Sequence, residues 1–167
     1  TSANATVTIS SVVPGSDPYA GPTPLTYDFE TPATTPVVTN GDIRTGTSGT
    51  GAQPFGSSGN YWTVGPSTSS PGFLDLSSFA GISSLSFIWG SVDDYNDLAV
   101  IARDGTTVLA SFNGLAVAPP ADGDQGDPFT NPVVTLDITG IDQGNIGGLR
   151  LSSTKEAFEV DNFAIQA

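Results

Sequence analysis

The stretch ISSLSFIW, residues 82–89, decides the fold, because its side chains alternate with a period of two. Every second residue from position 85 is large and apolar, whereas the alternate positions hold Ser84, Ser86 and Ile88. Such alternation is typical of a β-strand with one face against a hydrophobic core. The residues predicted to face the core are therefore Leu85, Phe87 and Trp89.

The same alternation recurs along the rest of the chain, in short segments that are separated by polar turns. Asp104-Gly105 is a hairpin signal, and because Thr106 can belong to the loop, the turn type stays open. No segment of ten or more residues has the period of a helix. The pattern predicts an all-β chain, a β-sandwich or jelly roll of about 9–11 strands. The main predicted strands are residues 5–13, 25–30, 61–64, 72–76, 82–89, 97–103, 107–113, 133–138, 146–152 and 157–165, with Val37–Val38 and Ile43 as further candidates.

The first predicted strand is followed by PGSDPYAGPTP, residues 14–24, which holds four prolines and two glycines. We predict that residues 1–24 form an N-terminal strand plus a Pro/Gly linker, and that residues 25–167 form a single β-sandwich domain. Two placements of the strand are open. It pairs with its own sheet, or it is donated to a neighbouring copy, where Val7 and Ile9 fill apolar sites and the contact propagates into a filament.

The composition excludes several classes of function. The chain has 17 acidic and four basic residues, a formal net charge of −13, and no cysteine or histidine. It therefore has no disulfide, zinc-thiolate site or Ser-His-Asp triad, and too few cations to bind nucleic acid. No apolar run of 18 residues exists, so we expect no membrane insertion of this segment.

Carboxylates are the reactive groups left for catalysis, and a pair of them is the minimum for glycoside hydrolysis. Any pair among 17 acids is uninformative, and no cation lies close in sequence to assist one. The single lysine, Lys155, lies in a predicted turn before the last strand, where a solvated side chain is the ordinary interpretation. We expect a protein without catalytic activity.

Calcium is the candidate cofactor, because its six to eight oxygen ligands suit loops rich in aspartate and asparagine. One cluster, Asp93, Asp94 and Asp97, surrounds Tyr95-Asn96, and a second, Asp122, Asp124 and Asp127, lies in the long loop 119–132. The second lacks the spacing of an EF-hand. In both places aspartate is also an ordinary turn residue, and that alternative stays open.

Two aromatic residues are candidate ligand-binding residues, Trp62 and Tyr95, because a flat ring suits a sugar. Adjacent residues of one strand point to opposite faces, so either Tyr61 or Trp62 is expected to face outward or into a groove. Trp89 is in phase with Leu85 and Phe87 and is predicted to lie in the core.

Four segments resemble the ectodomain of PEP-CTERM surface proteins, in particular the PEPxxWA-CTERM type of proteobacteria. They are TYDFET (26–31), PFGSSGNYWTVG (54–65), LSFIWGSVDDYNDLAV (85–100) and GGLRLSSTKEAFEVDNFAI (147–165). The resemblance implies removal of a signal peptide, exosortase-dependent sorting, and a location outside the cell or on the surface of a Gram-negative bacterium. This sequence does not include the C-terminal Pro-Glu-Pro segment, apolar helix and basic tail of that family.

The chain is more loosely similar to carbohydrate-binding-module-like jelly rolls. In these, an acidic residue of the first core strand and one of the last strand hold a structural calcium, which implies that role for Glu30 and Asp161. The resulting hypothesis is a non-catalytic structural or adhesive protein of the surface, extracellular matrix or biofilm, with other copies of itself as partners. The alternative is a module that binds an exopolysaccharide.

Overall fold

The computed structural model describes residues 6–167, so Ala5 of the first predicted strand lies outside the described residues. Short 3-10 turns cover Pro32–Thr34, Gly114–Ala116, Pro128–Thr130 and Gly140–Gly144. Between positions 6 and 167, no helix has the length and apolar character needed to span a membrane. The strands are β1 (Val7–Val13), β2 (Val38–Thr39), β3 (Asp42–Thr45), β4 (Asn60–Val64), β5 (Gly72–Asp75), β6 (Ser84–Gly90), β7 (Asn96–Ala102), β8 (Val108–Asn113), β9 (Val133–Ile138), β10 (Ile146–Ser153) and β11 (Phe158–Gln166).

The strands form two antiparallel sheets. A six-stranded sheet has the order β1-β9-β6-β11-β4-β3, and a five-stranded sheet has the order β2-β5-β10-β7-β8. The last strand, β11, lies inside the six-stranded sheet between β6 and β4. This confirms the prediction of an all-β sandwich.

The core lies between the sheets and is rich in stacked aromatic rings. Trp89 of β6 and Phe158 of β11 stack with centroids 4.5 Å apart and planes at 9°. Phe87 stacks on Phe163 at 5.1 Å. The predicted inward face of β6 is confirmed, since Leu85, Phe87 and Trp89 are at most 1% exposed. The outer face of β6 is also covered, because Ile88 is 1% exposed.

Strand β1 pairs with β9 of its own chain, with Val7 opposite Ile138 and an irregular register between Ile9 and Ser11. Val7 is buried and Ile9 packs against the core. Both therefore fill apolar sites of their own sandwich, and residues 7–13 belong to the same fold as residues 25–167. In the segment that follows, the Gly15 amide donates to the Pro128 carbonyl at 2.8 Å.

One local prediction differs from the structure, and the structure decides one turn type that the sequence left open. Residues 25–30 contribute only an isolated bridge, Tyr27 to Phe163, because Phe29 turns the chain with φ 63°. In the hairpin after β7, only Gly105 has positive φ, so the turn is not type I′. There the Asp104 carboxylate accepts the amides of Thr106 and Thr107, which fixes a wider loop.

Candidate functional site

The outer face of the six-stranded sheet carries two buried carboxylates on β11. Phe158 and Val160 point to the core, so Glu159 and Asp161 point the other way. Both are covered, at 2% and 0% exposed. The cover is the segment 46–59, which runs between β3 and β4 and hydrogen-bonds to both side chains.

Each carboxylate has specific donors. Glu159 accepts the Ala52 amide at 2.9 Å and the Ser91 hydroxyl at 2.8 Å. Asp161 accepts the Ser57 hydroxyl at 2.6 Å and the amide of Asn162 at 2.8 Å. These bonds compensate part of the cost of burying the two acidic groups.

Burial is the main cause of the pKa shifts of the acidic side chains in this region. It raises the pKa of Glu159 from 4.5 to about 8, with the nearby Asp93 charge adding to the rise. It raises the pKa of Asp161 from 3.8 to about 7, with further contributions from the charges of Glu30 and Asp28. The pKa of Asp93 is likewise raised to about 6 by burial, against the lowering effect of Tyr95. Carboxylates that have shifted pKa values and lie together in a cleft are a recognised feature of functional sites.

We name the cavity next to Glu159 the acidic pocket. It has a volume of about 270 Å³ and lies where three loops meet the start of β11. Its walls are polar or small, which suits a cation or a hydroxyl-rich ligand better than an apolar one. Its ionisable side chains are Asp93, Tyr95, Asp122, Glu156 and Glu159.

The acidic pocket is assembled by contacts between distant loops. Asp93 and Asp122 form an isolated antiparallel bridge, and the Gly123 amide donates to the Val92 carbonyl at 2.9 Å. The Asn131 side chain, which is fully buried, ties the same loops together. Its oxygen accepts the amides of Phe55 and Ser91, and its nitrogen donates to the carbonyls of Asp124 and Asp127.

Tyr95 contributes its hydroxyl to the acidic pocket. The hydroxyl donates to the Glu156 carbonyl at 2.8 Å. Burial and the neighbouring Asp93 raise the pKa of Tyr95, which stays protonated. The Lys155 ammonium lies 5.7 Å from the centre of its ring. Tyr95 thus lines the acidic pocket with Lys155 close to its ring, and its role in ligand binding stays a prediction.

The predicted aspartate clusters divide between pocket and surface. Of Asp93, Asp94 and Asp97, only Asp93 lines the acidic pocket, and the other two are exposed. Asp97 accepts the Asn113 amide at 3.3 Å. Asp122 joins the pocket, whereas Asp124 and Asp127 hydrogen-bond to amides two residues ahead, as turn-forming aspartates do.

Glu30 and Asp161 lie close enough for the Glu30 charge to raise the pKa of Asp161. Their environments differ, because Glu30 is exposed and Asp161 is fully buried. Glu30 accepts the Asn60 amide and lines an open cavity of about 640 Å³ together with Asp17 and Asp28. Glu30 lies in a turn, not in the strand that was predicted for it.

Calcium fits these groups only in part. Over residues 6–167, no three Asp or Glu side chains converge in an arrangement that could hold a metal ion. A site here would have to combine one or two carboxylates with backbone carbonyls, as weak calcium sites do. Calcium binding therefore stays a prediction for Asp93, Asp94 and Asp97 and for the Glu30–Asp161 pair.

The structure corrects the prediction that Trp62 offers a ring to a ligand. Trp62 is 0% exposed within the core, and its indole nitrogen donates to the Asn40 carbonyl. Tyr61 faces the other side of β4 but is also 0% exposed, because its hydroxyl donates to Gly46 in the covering segment. Alternation placed the two rings on opposite faces, but it did not show that both faces are covered.

Sequence reasoning missed Glu156, Glu159 and Asn131 as parts of the site. Glu159 precedes Asp161 by two residues on the same strand face, so the alternation of β11 was the available signal. Asn131 gave no signal, since its partners are distant loops. Comparison with protein-family models, with curated proteins and with solved structures finds no match to this chain.

Proposed function

We propose that this chain is a non-catalytic structural or adhesive protein of the bacterial cell surface or extracellular matrix, whose copies associate by exchanging strand β1. Location outside the cell is part of this proposal and rests on the sequence resemblance to PEP-CTERM ectodomains. The observation that carries the exchange is the position of β1 at the edge of the six-stranded sheet, where β9 is its single neighbour.

An edge strand is the element that a sandwich exchanges most easily, because one ladder of hydrogen bonds holds it. The same ladder re-forms when β1 of one copy pairs with β9 of another, so Val7 and Ile9 keep equivalent sites. The 11 residues from Pro14 to Pro24 include no strand. Fully extended at about 3.1 Å per residue, they span roughly 34 Å, enough to reach an adjacent copy.

Contacts of segment 14–24 with its own chain favour the unexchanged form. They include the Gly15 amide bond to Pro128 and the close approach of Gly56 to Ser16. Exchange gives these contacts up unless they re-form in the neighbour. High protein concentration therefore has to drive the equilibrium toward the assembly.

A cysteine pair tests the exchange directly, because the chain has no cysteine of its own. Thr8 lies opposite Asp137 in the pairing of β1 with β9. The Thr139 amide donates to the Thr6 carbonyl, so this opposite pair is hydrogen-bonded. Because hydrogen-bonded pairs recur at every second residue, Thr8 and Asp137 form such a pair as well. Such a pair has Cα atoms about 5.5 Å apart, within reach of a disulfide. The double variant Thr8→Cys/Asp137→Cys is concentrated in reductant, oxidised, and run on a denaturing gel without reductant.

Exchange makes the disulfide intermolecular, so the gel shows a ladder of covalent multimers that reductant collapses to the monomer. Without exchange the disulfide closes within one chain and a monomer band alone is seen. A monomer band at every concentration up to the millimolar range overturns the exchange. The single variant Thr8→Cys is the control for random cross-linking, which produces dimers but no ladder.

Binding of an exopolysaccharide is the second candidate function, and the acidic pocket is the observation that favours it. Its carboxyl groups and the Tyr95 hydroxyl can accept hydrogen bonds from sugar hydroxyls. Neutral glycans immobilised on a surface are the probe. Loss of binding in Tyr95→Phe, with binding kept in Tyr19→Phe, supports this candidate, and no binding to any neutral glycan removes it.

A further inference from the structure

Two edge strands lie on the same side of the sandwich. Strand β1 ends the six-stranded sheet, β8 ends the five-stranded sheet, and the two strands contact each other across the layers. We name this surface the β1/β8 flank and include in it the residues that follow β8, 114–118, together with Phe129. The opposite flank is formed by β3 and β2.

The two flanks differ in how their edges are protected. On the opposite flank, β3 carries the Asp42–Arg44 ion pair, with 3.0 Å between Nε and Oδ2, and β2 is only two residues long. Charges and short strands are the usual devices that prevent edge pairing. Strands β1 (VTISSVV) and β8 (VLASFN) are seven and six residues long and contain neither a charged residue nor proline.

Exposed apolar side chains gather on the unprotected flank. Of the eight large hydrophobic residues that are exposed between positions 6 and 167, five lie on it or at its border. Val12 and Phe129, 40% and 69% exposed, line one cavity of about 220 Å³ with Val117 and several prolines. The other three are Val13 on β1, Val108 at the start of β8 and Leu115 just after it.

The charge of the chain decides which partner fits this flank. A cationic partner would seek carboxylates, but β1, β8 and residues 114–118 supply none, and the cavity beside Phe129 has one, the half-buried Asp127. Two copies that each carry a net charge of −13 repel, and contact is least unfavourable where the facing surfaces are uncharged. The same flank of a second copy meets this condition and also offers matching edge hydrogen bonds.

We propose that the β1/β8 flank is an interface between two copies of this chain, which pair edge to edge. A two-fold axis perpendicular to the sheets brings β1 against β1 and β8 against β8, each antiparallel, so that the sheets continue from one copy into the next. Val108, Leu115 and Phe129 are then buried from solvent in the interface. The inference rests on the proposed self-association but uses a different contact, because no strand leaves its own sandwich.

The test places a like charge near the axis. Ser111 of β8 is exposed and makes no side-chain hydrogen bond in the described chain, and Ser111→Glu sets two carboxylates against each other across the interface. The matched control is Thr39→Glu on β2, an exposed residue on the protected edge of the same sheet. Leu115→Glu, outside the strands, is a second variant in case Ser111→Glu does not fold.

The background for all three variants is the Thr8→Cys/Asp137→Cys protein, oxidised in dilute native buffer and purified as the monomer, in which the intramolecular disulfide prevents exchange of β1. Sedimentation velocity should show a dimer, with a dissociation constant raised at least tenfold by Ser111→Glu or Leu115→Glu and unchanged by Thr39→Glu. A monomer at every concentration, or equal effects of the three substitutions, overturns the interface. Failure of the exchange appears instead in the gel, so the two proposals fail separately.

Discussion

Asp93 and Asp122 face each other in an isolated antiparallel bridge that joins the turn before β7 to the long loop 119–132. Each belongs to a different aspartate cluster of the sequence, and the bridge turns the two clusters into one wall of the acidic pocket. The Asp122 charge contributes to the raised pKa of Asp93. A cation or a proton in the pocket therefore stabilises both loops at once.

The stability of the fold should fall as the pH rises toward 8, in calcium-free buffer. The pKa of Glu159 is about 8 in the folded chain and 4.5 when unperturbed, so the folded state binds the proton more tightly. The stabilisation that Glu159 contributes to the free energy of unfolding is complete below pH 4.5. It is lost as the pH rises from 4.5 to about 8. The melting temperature measured from pH 4 to 9 checks the direction.

Glu159→Gln should flatten that pH profile, because the amide cannot ionise and keeps an acceptor for the Ala52 amide. Asp97→Asn is the control at an exposed carboxylate that contributes to none of the raised carboxyl pKa values. Equal slopes for the wild type and Glu159→Gln between pH 5 and 8 would contradict the assignment.

Asn131→Asp should strongly destabilise the loops around the acidic pocket. A carboxylate cannot donate to the carbonyls of Asp124 and Asp127, so two hydrogen bonds are lost and an ionisable group is placed at a fully buried position. We expect a loss of about 2–5 kcal/mol in the free energy of unfolding, measured by urea denaturation. Gln166→Glu, the same change from amide to carboxylate at an exposed position at the end of β11, should cost less than about 0.5 kcal/mol.

Gly56→Ala should release segment 14–24 from its own chain. A Cβ at Gly56 would lie 2.2 Å from the Ser16 carbonyl oxygen, and its φ of 85° adds strain. Gly46→Ala has the same strain at φ 78° but open space around the new methyl. We therefore expect faster hydrogen exchange of the Gly15 amide in Gly56→Ala only. Under the exchange proposal, this variant also forms multimers at lower concentration.

Calcium should raise the melting temperature, and a chelator should reverse the rise. Without three converging carboxylates the affinity is expected to be weak, about 10⁻⁴–10⁻³ M, so millimolar calcium is needed. At one hundred times the dissociation constant the gain is about 2.7 kcal/mol. Asp93→Asn and Asp97→Asn should each reduce the gain, and Asp161→Asn tests the Glu30–Asp161 pair. Asp142→Asn, outside both predicted sites, should leave the gain unchanged. An unchanged melting curve with no bound ion by elemental analysis removes calcium.

The sequence by itself determined most of the strands and the inward face of β6. Leu85, Phe87 and Trp89 could be placed in the core because the face of a strand residue depends only on its parity along the strand. The excess of acids over bases and the absence of cysteine and histidine also needed no structure, since they are properties of composition.

Only the tertiary structure decided what covers the outer faces and which loops meet. Trp62 lies in the core between the sheets, whereas Tyr61 is buried because segment 46–59 folds over the outer face of β4, and the same segment buries Glu159 and Asp161. The pairing of β1 with β9 and the bridge between Asp93 and Asp122 both depend on how the strands are arranged in the two sheets. These contacts join residues far apart in the chain, so no local period encodes them, and the packing of the whole sandwich selects them.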